Sequence, residues 1–217
     1  MNSFIPAIFA LGLSAAAATA ATVTPTSYDM LNGQNGSYTY QDGTYSVGGL
    51  LHPNANTSGA ALSGGLGELT DGIIATGNWN SPGVEPAPGN GPYVGWASIQ
   101  PVITFNFADA MDFVSATFYF DGSNAGGVAP PSSVTINGVN QAVSAPASTD
   151  PFAFTFDLSG QAPTDTLVAT IFDGQGPWVF LSEVTFEANV SAVPLPAGSL
   201  LILTGLAGLG AARRRKG

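Results

Sequence analysis

Apolar side chains fall at alternate positions through much of the second half of this chain. After Pro101 and Val102 the run reads Ile103, Phe105 and Phe107, with polar residues between them. Phe113 to Phe120 is aromatic and β-branched, and Ser133-Val-Thr-Ile136 leads through Asn137-Gly138 into Val139. A period of two with an Asn-Gly link is the pattern of strands joined by a tight hairpin. Phe152 to Phe156, Thr166 to Phe172 and Trp178 to Phe186 continue the series, and no amphipathic helix interrupts it. Strands separated by Gly, Pro, Asn and Asp predict an all-β protein, an antiparallel β-sandwich of the jelly-roll kind. Residues 22–66 are glycine-rich and predict a loose hairpin region around Ser37 to Tyr40 and Thr44 to Val47.

The two ends carry a different pattern. Phe4 to Leu13 is apolar and precedes Ala18-Thr19-Ala20, a small-x-small sequence of the kind signal peptidase accepts, so residues 1–20 predict a cleaved secretory signal. No Lys or Arg stands before that apolar run. At the other end, Ala197 to Ala212 contains 16 uncharged residues, followed by Arg213, Arg214, Arg215 and Lys216. As a helix that segment spans about 24 Å against roughly 30 Å of hydrocarbon. Snorkelling arginines extend its reach, and positive charge beside an apolar span stays on the cytoplasmic side.

These features resemble a known sorting signal. Val193-Pro194-Leu195-Pro196-Ala197, an apolar helix over 198–212 and a basic tail at 213–216 are similar to the VPLPA-type variant of the PEP-CTERM signals of Gram-negative bacteria. Pro194 and Pro196 fix φ and keep the pentapeptide extended, in a form an enzyme cleft can read. The resemblance implies recognition by an exosortase-type processing enzyme and export across the inner membrane. It also implies transient anchoring by the C-terminal helix, then residence at the cell surface or in the extracellular matrix.

Charge changes the picture of the body. All 14 Asp and Glu lie between Asp29 and Glu187, and the four Lys and Arg lie at 213–216, so residues 22–190 carry a formal charge of about −14. Nothing there can neutralise phosphates, which excludes nucleic acid as a partner. Neutral polymers and multivalent cations remain. With no cysteine, stability rests on the core rather than on disulfides.

Residues 66–188 resemble the galactose-binding, discoidin-like β-sandwich. The pieces that carry the resemblance are Leu69-Thr70-Asp71-Gly72, Thr76, Trp79, Val94-Gly-Trp96, Ile103 to Phe107, Pro131 to Val134 and Trp178 to Val184. It implies sugar binding through loops at one end and a structural calcium held by Asp71, Thr76 and Glu183. Calcium takes hard oxygen ligands and tolerates irregular loops. The candidate aromatics to meet a sugar are Trp79, Tyr93, Trp96 and Trp178, with Tyr93 and Trp96 within or beside the Gly/Pro-rich stretch 80–95 and Trp79 and Trp178 at positions where such a fold's core often takes an aromatic.

An enzyme has little to be built from. His52 is the sole histidine, and no Gly-x-Ser-x-Gly or His-Glu-x-x-His spacing occurs. Carboxylate pairs such as Asp109 with Asp112, or Glu183 with Glu187, are the only route to glycoside hydrolysis. The expectation is a non-catalytic module associated with extracellular polysaccharide. The alternatives are a purely structural acidic surface protein bridged by divalent cations and, third, a carbohydrate-active enzyme.

Overall fold

One strand organises the molecule. In the computed structural model, which describes residues 19–84, 91–172 and 176–190, Val102–Phe120 forms a single 19-residue strand. In chain order the strands are β1 (Thr19–Val23), β2 (Ser27–Leu31), β3 (Ser46–Val47), β4 (Leu50–Leu51), β5 (Ala61–Gly65), β6 (Val94–Ala97) and β7 (Val102–Phe120). They continue as β8 (Ser133–Ile136), β9 (Val139–Ala142), β10 (Phe152–Asp157), β11 (Thr164–Phe172) and β12 (Trp178–Val190). One 3-10 turn, Glu68–Thr70, is the only helical element among the described residues.

The first half of β7 pairs with β2 and β11, and through them with β5 and with β8 and β9. Its second half pairs with β10 and β12, and β12 in turn pairs with β6. All these pairings are antiparallel. Two layers therefore share β7, and their inner faces meet. Phe105 on the first half packs edge-on against Phe186 of β12 at 4.8 Å between ring centroids, and Phe107 meets the same ring at 5.2 Å.

The layers can share a strand because its inward phase changes. Ile103, Phe105 and Phe107 are buried at odd positions, whereas Ala116, Phe118 and Phe120 are buried at even ones. The register against β12 slips between Glu187 and Ala188, which face Ser115 and Phe113. One extra residue in a ladder moves every later side chain to the other face.

The hairpin read from Asn137-Gly138 is present, with φ of 48° and 85° at the two turn residues. Positive φ at both positions matches the right-handed twist of the flanking strands. Residues 37–40 hold no strand beyond the isolated bridge of Asn35 with Thr39, and strand structure in 44–47 is confined to β3. Packing there comes instead from Tyr40 and Tyr45, both buried.

The domain spans 20–189. The sorting signal, with Val193, Pro194, Leu195, Pro196, Ala197 and Arg213, Arg214 and Arg215, lies outside the described residues, as does nearly all of the signal segment. No helix among the described residues is long and apolar enough to cross a membrane.

Candidate functional site

Two recesses of similar size and opposite chemistry lie in the loops. The first is an aromatic cleft of about 190 Å³, lined by Gly36, Ser37, Tyr40, Trp79, Gly126, Val128, Trp178 and Phe180. Tyr40 and Phe180 are buried and stand 4.5 Å apart between centroids, while Trp79 and Trp178 are half-buried. The rings meet at steep angles: Tyr40 with Trp79 at 85°, Trp79 with Phe180 at 86° and Trp178 with Phe180 at 79°.

Backbone bonds fix each wall. Gly95 N donates to Tyr40 O at 3.0 Å, tying the Tyr40 loop to β6. Trp178 N donates to Gly127 O and Ala129 N to Trp178 O, both at 3.1 Å, which fastens the loop after β7 to the start of β12. Trp79 N donates to Asp121 Oδ2 at 2.7 Å, and Ser123 N donates to Asp121 Oδ1 at the same distance. Two glycines make room for the tryptophans. A Cβ on Gly126 would sit 2.6 Å from Trp79 Cζ2, and one on Gly36 would sit 2.9 Å from Trp178 Cζ2.

Polar atoms around Trp79 are left over. Trp79 Nε1, Asn78 Oδ1 and Ser123 Oγ are buried without a hydrogen-bond partner among the described residues. Buried polar groups are normally satisfied, so such a group calls for an explanation.

The second recess, about 210 Å³, is lined by Thr44, Glu68, Asp71, Ile73, Gly91 and Pro92. Asp42 lies fully buried nearby in the fold's hydrogen-bond network. It accepts from Glu68 N at 2.9 Å and from the Tyr28 hydroxyl, and the Tyr45 hydroxyl donates to Tyr28 O. Burial pushes the Asp42 carboxyl up to about 6, with the charge of Asp71 adding to the rise. It holds the Tyr28 phenol well above its usual range, and the Tyr45 phenol is pushed up to about 12.

Asp71 ends the 3-10 turn, and its Oδ1 accepts from Ile73 N at 2.8 Å. Gly72 N donates to Glu183 Oε2 at 2.9 Å, so the loop after the turn and strand β12 are joined at this point. Glu183 is 3% exposed, and desolvation, with Asp71 adding repulsion, pushes its carboxyl up to about 7. Ala75 N donates to Ser182 Oγ at 3.3 Å, a second tie between the same segments. Thr76 is exposed at the end of this loop. Asp71 and Glu183, read from the sequence as partners, are thus in one neighbourhood. No group of three or more His, Asp or Glu able to hold a metal ion occurs among the described residues, so any cation here would draw on hydroxyl and carbonyl oxygens as well.

Two of the four candidate aromatics are elsewhere. Tyr93 and Trp96 are both 0% exposed. The Tyr93 hydroxyl donates to Gly77 O at 3.0 Å, and Trp96 Nε1 donates to Leu31 O at 2.8 Å. Rings enclosed and anchored in this way cannot offer a face to a ligand. They are core residues at β6, in a segment that reads as loop from its glycines and prolines. Trp79 and Trp178 do line the cleft, together with Tyr40 and Phe180, which the sequence reading had not assigned to a ligand. For Tyr40 the signal was glycine near aromatic residues, Gly36 before Tyr38 and Tyr40.

The carboxylate pairs do not form a catalytic cleft. Asp109 and Asp112 are exposed, with Asp112 accepting from Asn189 Nδ2 at 2.8 Å. Glu183 is buried at the Gly72 loop, whereas Glu187 is exposed beside Ser115. His52 Nδ1 accepts from Asn54 N at 3.1 Å within its own turn.

No protein-family model matches the chain, and no curated protein matches it. Similarity to solved structures is slight. The family 32 CBM from C. perfringens NanJ in complex with galactose is 14% identical at a TM-score of 0.33, covering 44% of this chain and 75% of its own. A fucolectin from Morone saxatilis (striped bass) serum is 12% identical at a TM-score of 0.35, covering 82% of this chain and 79% of its own.

Proposed function

We propose that the domain is a non-catalytic carbohydrate-associated module, a galactose-binding-like sandwich exported to a bacterial surface or matrix. The observation that carries this reading is the aromatic cleft: two half-buried tryptophans stand over a buried Tyr40 and Phe180 in a recess of sugar-unit size. A sugar's C–H face packs on such rings, and pockets of this kind use few polar groups to orient what they hold. The test is retardation of the full-length chain in gels containing bacterial exopolysaccharides, beside its Trp79→Ala variant. Retardation of the parent and not of the variant is the expected result. Equal mobility of both in every polysaccharide removes the reading and leaves the purely structural, cation-bridged protein.

Sorting belongs to the same proposal. The VPLPA-like segment and Arg213 to Lys216 direct the chain to an exosortase-type enzyme after membrane anchoring. Replacing the four basic residues with Ser should abolish C-terminal processing, read by intact mass. Wild-type protein recovered with Gly217 in place would overturn this part.

Calcium is the proposed structural cofactor. Asp71 and Glu183 supply carboxylate oxygen on two segments already joined through Gly72, and Thr76 with loop carbonyls would complete an all-oxygen set. The role of such an ion is to offset the desolvation, and with it the repulsion from Asp71, that raise the Glu183 carboxyl.

A further inference from the structure

We infer that the aromatic cleft is built for an organic ammonium ion carried by a glycan, either a trimethylammonium substituent or a protonated amino sugar. The inference rests on the carbohydrate reading above and names the chemistry recognised at that site. Three observations carry it. The lining includes four aromatic rings: Tyr40 and Phe180 form a buried floor, 42° apart, and the half-buried Trp79 and Trp178, which reach the open side, meet Phe180 at 86° and 79°, which encloses a small space instead of presenting one flat platform. A neutral pyranose needs a platform together with several hydrogen-bonding side chains. Among the described residues this lining supplies two side-chain hydroxyls, on Ser37 and Tyr40, and two indole N–H groups, with no amide or charged side chain. A methylated ammonium asks for neither, because its charge is spread over C–H groups that the ring quadrupoles attract, tryptophan most of all.

The third observation is charge. Residues 22–190 hold 14 carboxylates and no Lys or Arg, so the field at the cleft has one sign. Asp121, 1% exposed, stands directly behind the Trp79 backbone at 2.7 Å. An anionic sugar is repelled from such a surface. A neutral one gains nothing from it, and a cation is drawn in.

The experiment is tryptophan fluorescence titration of the full-length chain with choline, with 3,3-dimethylbutan-1-ol as its uncharged isostere, and with glucosamine, glucose and galactose. Choline or glucosamine should bind at least about fivefold more tightly than its neutral counterpart, with the preference shrinking as salt is added. Choline binding identifies a trimethylammonium source, and glucosamine binding without choline identifies the amino sugar. Trp79→Ala should weaken the cation about tenfold. Trp79→Phe should fall between, which guards against a misfolded alanine variant, and far-UV circular dichroism checks the fold of both. Equal affinity for choline and its isostere together with equal affinity for glucosamine and glucose overturns the ammonium inference while leaving the carbohydrate reading standing. Failure of every probe and of every polysaccharide overturns both.

Discussion

The aromatic cleft and the carboxylate recess enclose about 190 and 210 Å³, yet one is held together by ring packing and the other by hydrogen bonds to charge. Around the carboxylates most polar atoms answer one another: Asp42 takes Glu68 N and the Tyr28 hydroxyl, and Glu183 takes Gly72 N, although Thr70 Oγ1 is buried without a partner among the described residues. Those bonds cross the fold, so the recess is part of what stabilises it. Around the cleft, Trp79 Nε1 and Ser123 Oγ are left without partners among the described residues, and the tryptophans are half exposed. Less stability depends on those rings than on the buried network. The difference teaches which changes should alter folding and which should alter recognition.

The comparison breaks most easily at Asp42. Asp42→Ala strands the Tyr28 hydroxyl and Glu68 N in the interior, and should cost about 3–4 kcal/mol by urea unfolding. A loss below about 1 kcal/mol would mean that the buried network is not the support described here.

Calcium comes next. At a free concentration about 100 times its dissociation constant, calcium should add roughly 2.7 kcal/mol, and Asp71→Asn or Glu183→Gln should remove most of that gain. Thermal melts at constant ionic strength, with chelator or calcium, decide the matter. A melt that calcium leaves unmoved in the parent removes the ion from the recess.

Acidity gives a third, smaller effect. The Asp42 carboxyl is raised from 3.8 to about 6 in the folded state, so its proton is held more tightly there than in the unfolded chain. That contribution to stability is fully present below about 3.8 and is lost as the pH rises through about 6. In chelator the domain should therefore be more stable at pH 4 than at pH 8, by an amount on the order of 2 kcal/mol, with Glu183, raised to about 7, adding in the same sense. Asp42→Asn should flatten the slope. An unchanged slope in that variant assigns the pH dependence elsewhere.

The smallest expected change sharpens the contrast from the other side. Trp79→Ala should cost about 1.5–2 kcal/mol of stability, because the ring is only half-buried, while weakening ligand binding about tenfold. A cost as large as that at Asp42 would merge the two regions into one structural core.

The strands were legible where alternation is strict and long, as in Thr166 to Phe172, which lies within β11. β7 was legible only in halves. Its inward phase changes between Phe107 and Ala116, and along a sequence such a change looks like a break between two strands. β2 escaped because its alternation is short, with Tyr28 and Met30 its only buried side chains. Asp71 and Glu183 were paired through a resemblance, since 111 positions separate Gly72 from its bond partner and no local pattern spans that distance. Tyr93 and Trp96 show the opposite failure. Glycine and proline around an aromatic residue signal irregular backbone, but they do not say whether its ring faces inward.

A strand shared by two layers also sets the order in which the chain can assemble. Thr26 bonds to Asn106 across 80 positions, and the later half of β7 is paired by β10 and β12, which follow it in the chain. Neither layer can close early. Completing the layers draws together segments from both sides of the middle, so the search is long-range and slow, on the order of milliseconds to seconds. During that interval the row of phenylalanines in β7 remains uncovered, which makes it the stretch most in need of shielding from other chains.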